Sequence, residues 1–329
     1  MSDKLKAIFL LLIASLIWGL AFPMNRYALR SVDPVGYSAL RYFFGALALA
    51  PLALRWGRRT AHVNYFTKTG RFSWIWGGAL AGLLLALGNG IQYQGLAMTL
   101  AAKAGFINGL YVTMVPLFGL ILGVTPARLV WVGLGVSLLG LALISDPGSA
   151  TGFNRGDAYV LVADLFFASH VFVLGFFSVR VSVWLFIFSQ AFFGCFFGGL
   201  LAEMTGTFPT LAQFQAIWPF ALYGVCSVAG AYLCQALAQK TVTPSSAALV
   251  MQTQSIIAAV SGVVFLGEKM TKAMIFGAFL LVSGTVIAQL ATDSTKLAPK
   301  RRHFRFFVFC RVLVAFLILA VCALAVIET

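Results

Sequence analysis

Apolar stretches of about 20 residues recur along the whole chain, and they constrain its fold more than any other feature. A stretch of that length crosses a bilayer as an α-helix, because a helix satisfies every backbone polar group within one segment. Polar breaks divide the 329 residues into eleven candidate spans, at 5–29, 35–54, 73–97, 103–122, 128–145, 157–179, 182–203, 216–238, 245–266, 272–291 and 305–327. The sequence therefore predicts an all-α polytopic membrane protein.

The composition agrees with this class. Charged residues make up 10% of the chain and hydrophobic residues 61%, whereas soluble domains are roughly a quarter charged. A net charge of +14 would favour nucleic-acid binding in a soluble protein. Here the basic residues cluster in loops, so we expect membrane lipid as their partner and no nucleic acid. The five cysteines lie in apolar runs without a CxxC pair, and they predict no metal site.

Lys and Arg residues set the orientation, because they concentrate on the cytoplasmic side. With the N-terminus inside, fifteen of the 23 fall in inner segments. The outer segments hold Arg30, Lys103, Arg155, Lys269 and Lys272. No A-x-A-like cleavage site closes the first span, so we expect it to be retained. The sequence predicts a multi-pass protein of the cell (inner) membrane with a cytoplasmic N-terminus.

The two halves of the chain resemble each other. At an offset of 144 residues, Gly123, Gly133 and Gly140 fall on Gly267, Gly277 and Gly284. Each half contains five spans, and an odd number inverts the second copy relative to the first. We predict two inverted five-helix repeats, at 1–146 and 147–292. Residues 293–329 are predicted to form a basic cytoplasmic linker and an eleventh transmembrane helix, which would place the C-terminus outside.

Four stretches resemble the EamA type of the drug/metabolite transporter superfamily. They are LIWGLAF (16–22), DPVGYSALRYFFGALAL (33–49), QYQGLAMTLAAKAGFINGLYVTMVPLFGLILG (92–123) and TPSSAALVMQTQSIIAAVSGVVFLGEKMTKAMIFGAFLLVSG (243–284). Their order and spacing carry the resemblance over about residues 5–291. Two features depart from the family pattern: LGV at 122–124 replaces the LGE seen at 266–268, and the chain continues past ten spans.

The resemblance implies a secondary transporter that works by alternating access. Its central cavity would be lined by spans 1, 3, 4, 6, 8 and 9, and export is the expected direction. Neutral amides and tyrosines dominate the polar positions, which suits an amino acid or a related amphipathic or zwitterionic solute better than a phosphate. A non-transporting scaffold or assembly protein is the alternative, for which the extra span is the only hint. The sequence leaves a homodimer open.

Motifs for catalysis or for ATP use are missing from the sequence. It contains no GxxxxGK[ST], no HExxH and no paired intramembrane carboxylates. With three histidines in all, a metal site is poorly supported. We therefore predict neither an enzyme nor a cofactor.

Polar side chains recur on one face of several spans. Asn89, Gln92 and Tyr93 follow i, i+3, i+4 spacing and share a face of span 3. The candidate substrate-binding residues are Trp18, Asn89, Gln92, Tyr93, Asn108, Tyr111, His170, Tyr232, Gln235, Gln252 and Ser255. Asn108 falls on Gln252 at the repeat offset, as expected for a site near the midplane. Interhelical hydrogen bonding is the alternative role for these amides.

Three ionisable residues within spans are candidates for charge or proton coupling: Asp164, His170 and Arg41. Asp164 and His170 are six residues apart, about 240° around a helix, so we expect them on different faces rather than in a dyad. His170 would contact substrate, gate transport in a proton-sensitive way, or bond to a neighbouring helix.

The remaining charges are expected near the outer surface. Asp157 and Asp164 share a face, and Arg26 or Arg41 is the predicted partner of this acidic strip. Otherwise both arginines would reach outward to lipid headgroups, or attract an anionic substrate. Glu268 is expected in a solvated loop.

Overall fold

The structure is a computed structural model that describes residues 2–57, 73–115, 127–145 and 152–293. Within these ranges the chain forms ten helical segments: α1 Asp3–Ala28, α2 Pro34–Leu52, α3 Ser73–Met98, α4 Ala101–Asn108, α5 Arg128–Ser145, α6 Arg155–Ser178, α7 Val183–Met204, α8 Leu211–Ala238, α9 (Pro244–Met251 and Thr253–Leu266) and α10 Lys272–Asp293. Seven of the described helices are long and apolar enough to cross a membrane, and α5 and α10 contain shorter apolar helices. The predicted all-helical polytopic class is confirmed. The predicted eleventh helix lies outside the described residues.

Polar residues define where several helices begin. The Asp33 side chain accepts a hydrogen bond from the Val35 backbone at 2.9 Å, with Pro34 at the first helical position of α2. At the start of α6, Asn154 and Asp157 form a reciprocal capping box with distances of 2.9 and 3.0 Å. This box holds the Asp157 carboxylate at the end of α6, next to the loop between α3 and α4.

Three of the predicted continuous spans are interrupted. α8 contains a π-helical stretch at Val225–Ala231, and α4 and α9 break at Gly109 and Gln252. At both breaks the backbone N–H contacts three preceding carbonyl groups, so the chain tightens locally. The hydrophobic pattern did not predict these interruptions, because an apolar run has the same composition whether its hydrogen bonds are regular or shifted.

Glycines allow close packing of α5 against α10 and of α3 against α7. A Cβ on Gly140 would lie 2.5 Å from the Gly277 carbonyl oxygen, and one on Gly133 would lie 2.5 Å from that of Gly284. A Cβ on Gly82 would lie 2.7 Å from the Gly194 backbone nitrogen. Backbones approach this closely only where side chains are missing. α3 also packs on α6, and α1 on α8 and α9, around the interior of the bundle.

Candidate functional site

A cavity lined by both polar and apolar side chains lies among seven of the described helices. It has a volume of about 720 Å³, counting the space open to solvent. Its lining comprises Trp18, Ala21, Phe22, Asn25, Arg41, Tyr42, Asn89, Gln92, Tyr93, Asn108, Tyr111, Phe167, His170, Val171, Ser227, Val228, Tyr232, Gln235 and Gln254. The expected helices α1, α3, α4, α6, α8 and α9 all contribute. α2 was not expected there, and it contributes Arg41 and Tyr42.

Nine of the eleven candidate substrate-binding residues lie around this cavity, and two do not. Gln252 and Ser255 instead pack against Gly109, where their side-chain atoms come within 2.6 Å of the position that a Cβ would occupy. Both residues lie at or just after the break of α9, and they face α4. The neighbouring Gln254 lines the cavity in their place.

Asp164 lies behind the cavity wall, in a hydrogen-bonded chain of three residues. The Asn108 amide donates to its Oδ1 at 2.8 Å, and the Gln254 amide donates to Asn108 Oδ1 at 3.4 Å. Asp164 is fully buried. Its Oδ2 has no hydrogen-bond partner among the described residues. The chain joins α6, α4 and α9, three helices that meet at the cavity.

His170 belongs to a separate group of side chains. Its Nε2 lies 2.9 Å from Gln190 Oε1 of α7, and its ring meets that of Tyr232 edge-on at 5.2 Å. Tyr232 also packs against Trp18 at 4.9 Å, and the Trp18 indole donates to the Ser227 carbonyl at 3.1 Å. His170 and Asp164 therefore have different partners, and the prediction that they form no dyad is confirmed.

A second polar contact lies between α2 and α3. The Asn89 amide donates to the Tyr42 hydroxyl at 2.8 Å and to the Leu85 carbonyl at 3.0 Å. Tyr42 is 2% exposed and belongs to the cavity lining. Asn89 therefore has an interhelical role beside any contact with a solute.

Arg41 does not reach outward to headgroups, and that interpretation was wrong. It is 4% exposed and lines the cavity. Its guanidinium hydrogen-bonds the Ser227 hydroxyl of α8 and lies 5.8 and 5.4 Å from the ring centroids of Tyr37 and Tyr93. A charged head that stays within the bundle is typical of a functional position in a membrane helix.

The predicted partners of the acidic strip were also wrong. Asp157 pairs with Lys103 at 2.6 Å, and Arg26 pairs with Glu268 at 3.5 Å. Glu268 is buried rather than solvated, because its carboxylate also accepts from the Ala101 and Ala102 backbones at 2.7 and 2.9 Å. That position at the start of α4 suits a carboxylate, since the N–H groups of the first helical turn have no partners within the helix.

The lining contains polar residues that the sequence reasoning did not select: Asn25, Tyr42, Ser227 and Gln254. Each is a polar or amphipathic residue within an apolar run, and that pattern could have identified it as a candidate cavity residue. Asn25 accepts a hydrogen bond from the Tyr37 hydroxyl at 3.0 Å. The repeat offset from Asn108 indicated Gln252 rather than Gln254.

Seven described helices long and apolar enough to cross a membrane, with seven helices around one cavity, define a multi-pass α-helical membrane protein. The EamA-like transporter family matches residues 5–146 and again 154–290. The chain therefore belongs to the EamA-like transporter family, whose members are transporters rather than enzymes.

Similar proteins carry the same general description. The chain is 26% identical over 286 residues to an uncharacterized transporter of Archaeoglobus fulgidus, across 85% of this chain and 84% of that protein. It is 24% identical over 292 residues to the uncharacterized inner membrane transporter YedA of Escherichia coli K12, across 84% of this chain and 88% of that protein. A protein crystal structure with 17% identity shares the fold at a TM-score of 0.61, over 88% of this chain and 98% of that one.

Proposed function

We propose that this transporter moves a small amphipathic or zwitterionic metabolite, such as an amino acid, by alternating access. One observation carries the proposal: helices from both family-matched segments contribute to one cavity. Its lining combines aromatic rings with neutral amides, among them Asn89, Gln92 and Gln235. Such a surface covers the apolar part of a solute and hydrogen-bonds its polar groups.

We further propose that 1–146 and 147–292 are inverted five-helix repeats. The two family matches support this division. So do the breaks at Gly109 in α4 and Gln252 in α9, which lie one residue from equivalence at the 144-residue offset. Discontinuous helices in corresponding positions of two halves are a feature of transporters with a site near the midplane. The same offset relates two glycine contacts between α5 and α10. Adding 144 to Gly133 and Gly140 gives Gly277 and Gly284, so the Gly140–Gly277 contact corresponds to the Gly133–Gly284 contact.

The proposed topology has a cytoplasmic N-terminus in a cell (inner) membrane, with export as the direction of transport. The excess of Lys and Arg in the inner segments supports the orientation, and YedA of Escherichia coli is named as an inner membrane transporter. An eleventh helix at 305–327 would place the C-terminus outside. A homodimer remains part of the hypothesis.

Counterflow in proteoliposomes tests the function. Purified protein would be placed in liposomes loaded with a mixture of amino acids and other small polar metabolites, and exchange with labelled solutes outside would be measured. We expect exchange of at least one solute above the rate of empty liposomes. Absence of exchange across the whole mixture by folded protein would favour the non-transporting scaffold.

A further inference from the structure

Arg41 is a buried cation that forms no ion pair with an acidic residue of the described structure. The three ion pairs among the described residues are Lys6–Asp3, Arg26–Glu268 and Lys103–Asp157, and none includes Arg41. Its Nε has no hydrogen-bond partner in the described part of the chain. An unpaired charge removed from water is costly. A position that retains one needs an explanation beyond packing.

The surroundings hold the guanidinium in place but do not neutralise it. The Ser227 hydroxyl accepts a hydrogen bond from Nη2, and the rings of Tyr37 and Tyr93 lie within 6 Å of the cation. These neighbours contribute dipoles and ring faces, whereas a guanidinium binds best to a planar carboxylate through two parallel hydrogen bonds. The cation is therefore oriented, and no carboxylate of the described residues pairs with it.

The backbone beside Arg41 is arranged to bring Ser227 close. A Cβ on Gly224 would lie 2.4 Å from the Arg41 carbonyl oxygen, so α2 and α8 touch here without an intervening side chain. Immediately after Gly224, the π-helical stretch Val225–Ala231 shifts the register of α8 and includes Ser227. π-Helical insertions occur frequently at functional sites. The contact between Arg41 and Ser227 therefore coincides with a helix irregularity of this kind.

We propose that Arg41, with Ser227 beside it, binds the carboxylate of the transported solute. This inference rests on the proposed transport function and specifies its substrate class. Arg41 is the only Lys or Arg among the lining residues of the described structure. One guanidinium matches a carboxylate, whereas a phosphate dianion usually recruits several cations. The aromatic cluster of Trp18 and Tyr232, also in the lining, is available for an apolar substituent.

A mixture of matched solutes tests this inference. Counterflow would be measured by mass spectrometry with the twenty L-amino acids, their α-amides and their decarboxylated amines, all in one assay. The amides and amines keep the amino group and lack the α-carboxylate. We expect wild-type protein to exchange solutes of the first set and to discriminate about tenfold or more against their amides and amines, which is the range for a lost hydrogen bond to a charged group.

Variants separate an anchoring role from a structural one. Arg41→Gln should raise the half-saturating concentration of carboxylate solutes about tenfold or more, while exchange of amides and amines stays within about twofold. Arg41→Lys keeps the charge but lacks the parallel N–H donors of the guanidinium. Its half-saturating concentration for carboxylate solutes should therefore lie between those of the wild type and Arg41→Gln. Arg30→Gln is the matched control: it removes an exposed arginine from the same end of the chain, and it should change neither class.

The outcomes are distinguishable. Equal exchange of acids and amides by the wild-type protein would overturn the carboxylate site. An Arg41→Gln variant that loses exchange of all solutes equally would overturn it too. Neither result contradicts the proposed transport function of the wild-type protein. Exchange of no solute in this mixture or in the broader metabolite mixture overturns the transport proposal, and the carboxylate site with it. Selective loss of the carboxylate set in Arg41→Gln supports both.

Discussion

Lys103 Nζ lies 2.6 Å from Asp157 Oδ2, and both side chains are almost completely buried. The pair joins α4 to α6. The Thr99 hydroxyl donates to the other carboxylate oxygen at 2.7 Å, and Lys103 also donates to the Gly152 carbonyl at 3.0 Å. Such a pair contributes little beyond an apolar pair of the same volume, but removal of one partner leaves the other charge buried and alone.

Asp157→Asn should therefore destabilise the protein strongly. We expect a loss of about 3–5 kcal/mol, the range for breaking a buried pair, measured as a lower midpoint of thermal unfolding in detergent. Asp3→Asn is the control, because its pair with Lys6 is exposed at 3.2 Å and should matter by less than about 1 kcal/mol. Similar midpoints for Asp157→Asn and Asp3→Asn would contradict a buried pair.

Glu268→Gln should loosen the start of α4. The substitution removes the charge that faces Arg26 and weakens the bonds from the Ala101 and Ala102 backbones, because bonds to a charged acceptor are roughly twice as strong as neutral ones. We expect faster hydrogen exchange at these two amides. Lys269→Gln changes an exposed neighbour in the same loop and should leave the exchange rates unchanged. Equal exchange in Glu268→Gln and wild type would contradict the contact.

The sequence predicted the helices well and their charged contacts poorly. The order of the described helices follows from long apolar runs, which are local. The partner of Arg26 is 242 residues away in Glu268, and a periodic pattern on one helix carries no information about the side chain opposite. The loop position of Glu268 suggested solvation. In the structure, its contacts with the start of α4 bury it.

The cavity residues also show where prediction from local sequence patterns succeeds and where it fails. Face-sharing stripes on α3 predicted Asn89, Gln92 and Tyr93 at the cavity, because helical spacing fixes their common direction. The break at Gln252 disturbs that spacing in α9, so Gln254 rather than Gln252 lines the cavity. Offset matching between repeats cannot detect a local change in the turn.

Gln254→Leu and Gln252→Leu should consequently differ. Gln254 donates to Asn108 at 3.4 Å and lines the cavity, so its loss should reduce transport several-fold. Both amide atoms of Gln252 lack partners among the described residues, so leucine there should leave transport within about twofold. Initial rates of counterflow, normalised to protein in the membrane, provide the measurement. The reverse order would place the site at Gln252, as the repeat offset first indicated.

His170→Ala should impair transport more than Asp157→Asn does, per folded molecule. His170 lines the cavity between Gln190 and Tyr232, whereas Asp157 contributes to folding through Lys103. We expect a reduction of about tenfold, the scale of one lost polar contact. Rates would be measured from pH 5 to 8, where histidine ordinarily titrates. Unchanged rates and an unchanged pH profile would remove His170 from the mechanism.

Gly140→Ala should destabilise the contact between α5 and α10. The new Cβ would lie 2.4 Å from the Leu281 nitrogen and 2.5 Å from the Gly277 carbonyl oxygen. Backbone atoms cannot rotate away, so the helices would have to separate, at about 1–3 kcal/mol. Gly135→Ala, on the same helix, is the control, because nothing lies within 4 Å of its Cβ position and alanine favours a helix. Thermal unfolding should show a lower midpoint for Gly140→Ala and an equal or higher one for Gly135→Ala. Equal midpoints in the two variants would contradict the close approach of the two backbones at Gly140.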